Sequence, residues 1–88
     1  MLFRSLFQVF PNPAYNQITL TFNAINAPEI SVNILDVYGR TVKSLDLNAT
    51  STNEFAVDIN ELSAGAYFVK VSENSESGRS YTTKLIKN

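Results

Sequence analysis

Side chains that commonly carry out chemistry are few and poorly grouped in this chain of 88 residues. The sequence contains no His, which removes the commonest general base and the commonest zinc ligand together. Ser and Thr are plentiful, but no nucleophile elbow is present, and only a Ser–Lys arrangement stays open as a way to activate a hydroxyl. The sequence therefore gives little support to catalysis.

The acidic residues do not form a persuasive site either. Asp58 and Glu61 are the pair that glycoside hydrolysis would need, but their surroundings predict a turn rather than a cleft. Asp36 also lies in a predicted turn, and one carboxylate without alternating acidic partners is a poor calcium site, since calcium takes six or more oxygen ligands. We therefore expect no metal ion and no other cofactor.

Composition favours a small folded domain. The chain has seven Lys and Arg against eight Asp and Glu, so it offers no basic patch for nucleic acid. Hydrophobic residues make up 44%, enough for a core, and the absence of Cys means that folding needs no disulfide. No apolar run approaches the roughly 18–20 residues of a membrane span. Residues 1–10 lack the apolar run and cleavage site of a signal peptide, and residues 1–6 are interpreted as a linker stub.

Alternation of apolar and polar residues, rather than a helical period, runs along the chain and predicts about seven short strands with turns every 8–12 residues. This spacing favours an all-β, seven-stranded antiparallel sandwich of the immunoglobulin or fibronectin-III-like type. The last strand is predicted over Tyr81 to Ile86. The phase of the strand over Val42 to Leu47 slips between Val42 and Leu45, which indicates a bulge or an edge position. The predicted core comprises Ile18, Leu20, Phe22, Ile30, Val32, Ile34, Phe55, Val57, Ile59, Leu62, Tyr67, Val69 and Val71.

Turns are predicted at residues 26–28 and 74–78, and a polar loop at residues 48–53. Three further predicted turns contain residues with specific roles. Pro11-Asn12-Pro13 fixes two φ angles and removes two backbone donors, so the first strand must end there. In Asp36-Val37-Tyr38-Gly39-Arg40, Asp36 can accept a bond from the N–H two residues on, Gly39 can take positive φ, and Arg40 can pair with Asp36. In the third turn, at residues 60–65, Leu62 is expected to fill space in the core and Gly65 to take positive φ. Tyr67, on the next strand, is expected to be buried with its hydroxyl hydrogen-bonded.

Two features are candidates for contact with a partner. Leu35, Val37 and Phe68 are out of phase with the predicted core and should face outward, where a cluster of them would form a docking patch. The final segment, Lys84-Leu85-Ile86-Lys87, should lie at a sheet edge with unpaired backbone groups, which suit either pairing with a receptor strand or protection by lysines.

Five segments in order, residues 7–13, 36–40, 58–62, 65–71 and 84–87, resemble the type IX secretion system type A C-terminal sorting domain of Bacteroidetes. The resemblance covers residues 7–88 and rests on an aromatic-Pro-Asn-Pro opening, a D-x-x-G-R turn, an L-x-x-G-x-Y strand and a Lys-hydrophobic-hydrophobic ending. The residues it marks for recognition are Pro11, Asn12, Pro13, Asp36, Gly39, Arg40, Leu62, Gly65, Tyr67, Lys84, Leu85, Ile86 and Lys87.

That resemblance implies a sorting label rather than an enzyme. Such a domain follows an exported cargo protein, reaches the periplasm, is recognised by the outer-membrane translocon and is removed by a sortase-like peptidase as the cargo is anchored at the cell surface. The alternative is a fibronectin-III-like adhesive spacer that binds carbohydrate or protein. Its candidate stacking residues are Tyr15, Tyr38, Phe68 and Tyr81.

Overall fold

The computed structural model describes residues 7–22, 29–48, 54–73 and 80–88. All regular structure in these ranges is β-strand. The strands are β1 (Phe7–Phe10), β2 (Gln17–Phe22), β3 (Glu29–Leu35), β4 (Thr41–Asn48), β5 (Glu54–Asp58), β6 (Gly65–Glu73) and β7 (Ser80–Lys87). The predicted turns at residues 26–28 and 74–78 and the linker stub at 1–6 lie outside the described residues. The predicted loop at 48–53 also lies outside them except for Asn48, which ends β4.

The strands form two sheets, a three-stranded sheet in the order β1-β2-β5 and a four-stranded sheet in the order β4-β3-β6-β7. Every strand pairing within the two sheets is antiparallel. Buried residues from both sheets belong to one core cluster, so the sheets pack face to face. The predicted all-β antiparallel sandwich is confirmed, whereas its closer assignment to the immunoglobulin or fibronectin-III type stays a prediction.

Alternation along the strands places the predicted core residues inside. All of them are buried except Phe55, which is half-buried because β5 is an edge strand of its sheet. The Phe55 ring packs edge-on against Phe22, with 5.7 Å between ring centroids. Ala14 and Leu85 are also fully buried, and the alternation pattern did not predict either of them.

The predicted slip in β4 is a bulge. Ile34 pairs with Lys43 and Leu35 pairs with Thr41, so Val42 is the extra residue on the β4 side. Val42 is 41% exposed as a result. No helix in the described parts of the chain is long and apolar enough to cross a membrane.

Candidate recognition surface

Four segments from distant parts of the sequence meet at one end of the sandwich, which we call the motif end. They are residues 11–16, the β3–β4 turn at residues 36–40, the β5–β6 connection at residues 59–64 and the last residues of β7 at 84–88. Gly65 pairs with Lys87, and Ala14 bridges the same Lys87 from its other side. The N–H of Ile59 donates to the carbonyl of Asn16 at 2.9 Å. The fold therefore brings together the segments on which the family resemblance rests.

The Pro-Asn-Pro turn lies against the outer edge of β7. The side-chain Nδ2 of Asn12 donates to the carbonyl of Lys84 at 2.9 Å, and the N–H of Ile86 donates to Asn12 Oδ1 at 2.9 Å. One side-chain amide thus takes the place that a peptide group of a neighbouring strand would have. Both X–Pro bonds in this turn, Phe10–Pro11 and Asn12–Pro13, are cis.

Ala14 continues the same contact through its backbone. Its N–H donates to the carbonyl of Ile86 at 2.8 Å, and its carbonyl accepts from the N–H of Asn88 at 2.7 Å. β7 is an edge strand of its sheet, as predicted. The expectation that its last residues have unpaired backbone groups is corrected, because Asn12 and Ala14 cover that edge from the Lys84 carbonyl to Asn88.

The β3–β4 turn is organised by the carboxylate of Asp36. Oδ1 accepts from the backbone N–H groups of Tyr38 at 2.9 Å and Arg40 at 3.0 Å, and Oδ2 accepts from Arg40 Nε at 2.8 Å. Gly39 has φ of +83° and donates to the Asp36 carbonyl at 3.0 Å. The N–H of Arg40 is the main cause that lowers the pKa of Asp36, and the Arg40 side chain adds to it. The predicted turn chemistry is confirmed.

The same turn presents exposed side chains around an open groove. Val37 is 59% and Tyr38 81% exposed, and the Arg40 guanidinium lies 5.3 Å from the centroid of the Tyr38 ring. The groove has a volume of about 370 Å³ and separates this turn from the start of β6, with Val42 and Ala66 among its lining residues. The surface is therefore mostly apolar, with the Asp36–Arg40 ion pair at its rim.

The acidic residues next to the motif end have structural partners. Asp58 Oδ1 accepts from the N–H of Asn60 at 2.8 Å, and Glu61 pairs with Lys43 at 2.8 Å. The hydrogen bond from the Lys43 side chain lowers the pKa of Glu61. Both carboxylates are exposed, but only Glu61 lies on the predicted turn, because Asp58 is the last residue of β5. Within the described ranges, no group of three or more His, Cys, Asp or Glu could hold a metal ion.

Leu62, Gly65 and Tyr67 shape the motif end from within. Leu62 and Tyr67 are buried, and the Tyr67 hydroxyl donates to the carbonyl of Ser63 at 2.6 Å, which confirms both predictions. Gly65 has φ of +152°, also as predicted, and a side chain there would be strained although space is open around it.

The residues marked for recognition therefore divide by accessibility. The exposed ones are Pro11, Asn12, Pro13, Gly39, Arg40, Gly65 and Lys84; the half-buried ones are Asp36, Ile86 and Lys87; the buried ones are Leu62, Tyr67 and Leu85. Only the first two groups can touch a partner while the domain is folded.

The four candidate stacking residues of the adhesive alternative lie on different elements. Tyr38 is on the β3–β4 turn and Phe68 is on β6, whereas Tyr15 is 64% exposed on the segment before β2. Tyr81 packs against the core, and its hydroxyl lies 3.2 Å from Glu73 Oε2.

Comparisons with known proteins identify a family and one relative. Residues 8–88 match the family described as "Secretion system C-terminal sorting domain". The chain is also similar to a protein of Formosa agariphila described as an "Endo-acting ulvan lyase", with 30% identity over 79 residues. The match covers 90% of this chain but only 14% of that relative's length. No solved structure gives a significant match.

Proposed function

The chain belongs to the secretion system C-terminal sorting domain family, and on that premise we propose that the motif end is the surface read by the type IX translocon. The domain is a secretion sorting signal of the type IX system. It labels a cargo protein joined ahead of it for export to the cell surface or the extracellular space.

The observation that supports this assignment is the convergence of the four segments. Residues 11–16, 36–40, 59–64 and 84–88 are far apart in sequence, yet hydrogen bonds and strand register join them at one end of the fold. A partner that contacts this end reads the family's motifs together. The terminal residues are presented in a fixed strand conformation, because Asn12 and Ala14 hold their outer edge.

The further steps follow from family membership. A Sec-exported precursor passes through the periplasm, the translocon carries it across the outer membrane, and a sortase-like peptidase removes this domain when the cargo is anchored. The domain is then a substrate of that peptidase and is not itself catalytic. The ulvan lyase similarity fits a domain of this kind at one part of a much longer protein, since the chain spans 14% of that relative.

The test is to fuse the chain behind a Sec-exported reporter in a Bacteroidetes host with a type IX system. We expect the reporter at the cell surface with the intact domain, and in the periplasm after deletion of residues 85–88. Because that deletion removes the buried Leu85, Arg40→Ala supplies a milder test: Arg40 is exposed and its backbone N–H still binds Asp36. Periplasmic retention of the wild-type fusion, in a host that exports its own type IX cargo, would refute the sorting role.

A further inference from the structure

The outward face of the four-stranded sheet is divided into a polar part and an apolar part. The residues that alternate with the core on this face are polar over most of the sheet: Ser31, Asn33, Ser44, Asp46, Lys70, Ser72, Ser80 and Thr82. At the motif end they become apolar. We call this set the outer patch: Leu35, Ala66, Phe68 and Ile86.

Strand register makes the outer patch contiguous. Leu35 is the cross-strand neighbour of Phe68, and Ala66 is the neighbour of Ile86. Side chains opposite each other on one face of a sheet are about 4.5–5.5 Å apart, so these residues form one surface over three strands. Phe68 is 38% exposed and lies at the centre of it.

Two lysines border the outer patch. Lys84, on β7, is the cross-strand neighbour of Phe68. Lys70 lies on β6, two residues after Phe68, and faces the same side of the sheet. Neither forms an ion pair with another described residue. The nearby Arg40, in contrast, is paired with Asp36. The border of the patch therefore has an excess of positive charge.

We propose that the outer patch is a docking site for a protein partner that presents an apolar side chain flanked by carboxylates. Contiguous exposed apolar surface marks interaction sites, and carboxylates would complement the two lysines. A lipid surface fits less well, because membrane binding needs apolar side chains that reach about 5–10 Å into the bilayer. Here Leu35 and Ile86 are half-buried in a flat sheet face.

This inference rests on the proposed sorting function and deepens it, because it places partner contact on the sheet face beside the motif end. The test uses the same reporter fusion, carried by the whole chain. Phe68→Ser removes the central apolar side chain, and Lys84→Glu reverses a border charge without changing the backbone carbonyl that Asn12 binds. Gln8→Ser and Lys84→Arg are the matched controls, since Gln8 is exposed on β1 of the other sheet, outside the patch and the motif end, and arginine keeps the charge.

We expect the ratio of surface to periplasmic reporter to fall about tenfold for Phe68→Ser and for Lys84→Glu, the size typical of losing one interface anchor. Both controls should stay near the wild-type ratio. Thermal unfolding of the purified chains shows whether each variant is folded. If Phe68→Ser is destabilised, the comparison of Lys84→Glu with Lys84→Arg still tests the proposal.

Other outcomes overturn the inference in separable ways. If the wild-type fusion reaches the surface and both patch variants do so equally well, the patch is not a docking site while the sorting function stands. If the wild-type fusion stays in the periplasm, the sorting function fails first. If the purified chain binds vesicles of phosphatidylglycerol and phosphatidylcholine and loses this binding in Phe68→Ser, the partner is a membrane surface instead.

Discussion

Replacing Asn12 by Ala tests the contact that joins the opening turn to the last strand. The substitution removes two hydrogen bonds of 2.9 Å, one to the Lys84 carbonyl and one from the Ile86 N–H. Each hydrogen bond contributes about 0.5–1.5 kcal/mol net, and water can reach these exposed groups once the amide is gone. We therefore take the lower part of that range for each of the two bonds and expect the free energy of unfolding to fall by about 1–2 kcal/mol in total.

Two measurements read this effect at different scales. Chemical or thermal unfolding gives the global loss, with a decrease in Tm of about 4–8 °C for each kcal/mol in a domain of this size. Hydrogen exchange of the Ile86 amide reads the local contact, and its protection should fall by about tenfold for each 1.4 kcal/mol lost locally. A larger change at Ile86 than in global stability would mean that the effect is confined to the end of β7.

Asn16→Ala is the matched control. Asn16 has the same side chain and is also exposed, but only its backbone carbonyl makes a hydrogen bond that the structure records, with the N–H of Ile59. Its replacement should change stability by less than about 0.5 kcal/mol, as is usual for surface positions. Equal unfolding and equal Ile86 exchange in the two variants would show that Asn12 does not hold β7, and the reasoning above would be wrong.

Three further predictions concern the interior and the turns. Leu85→Ala, at a fully buried site, should lower the free energy of unfolding by about 2–5 kcal/mol in urea titration; a loss below 1 kcal/mol would contradict its place in the core. Tyr67→Phe should cost about 1–1.5 kcal/mol, because it leaves the part-buried Ser63 carbonyl without the hydroxyl, and unchanged stability would exclude that bond. The hydrogen bonds that lower the pKa of Asp36 in the folded protein stabilise the fold at pH values above the pKa of the unfolded state, near 3.8. This stabilisation is lost as the pH falls through the folded pKa. Asp36→Asn should therefore be less stable than wild type at pH 6, with the difference shrinking below about pH 4 in thermal melts, and a constant difference would refute the assignment.

Local sequence signals account for what was predicted correctly. Alternation fixes which face of a strand is buried, so the inner residues of β2, β3 and β6 could be identified without a structure. The Asp36–Arg40 turn was equally accessible, because a carboxylate, a glycine and an arginine at these spacings interact within five residues. Phe55 had the right phase, but alternation carries no information on which strand lies at a sheet edge, so its partial exposure was missed.

Contacts between distant segments account for what was missed. Asn12 and Lys84 are 72 positions apart, and no local pattern indicates which strand a proline-bounded turn will lie against. Ala14 is small and follows Pro13, so nothing in its surroundings predicts burial. Leu85 and Ile86 are adjacent apolar residues, which leaves the phase of β7 ambiguous until the pairing with β6 places Leu85 opposite Tyr67 inside the sandwich.

The position of β1 determines how a mechanical load would act on the domain. β1 begins with Phe7 opposite Phe22, at the far end of β2 from the motif end. Five residue steps along β2 correspond to about 17 Å. If a machine grips the motif end while a load resists on the preceding chain, the tension runs parallel to the strands. Because β1 runs directly into the Pro-Asn-Pro turn of that end, the load passes along the β1 backbone, and a grip on the last residues of β7 transmits it through the hydrogen bonds of Asn12 and Ala14.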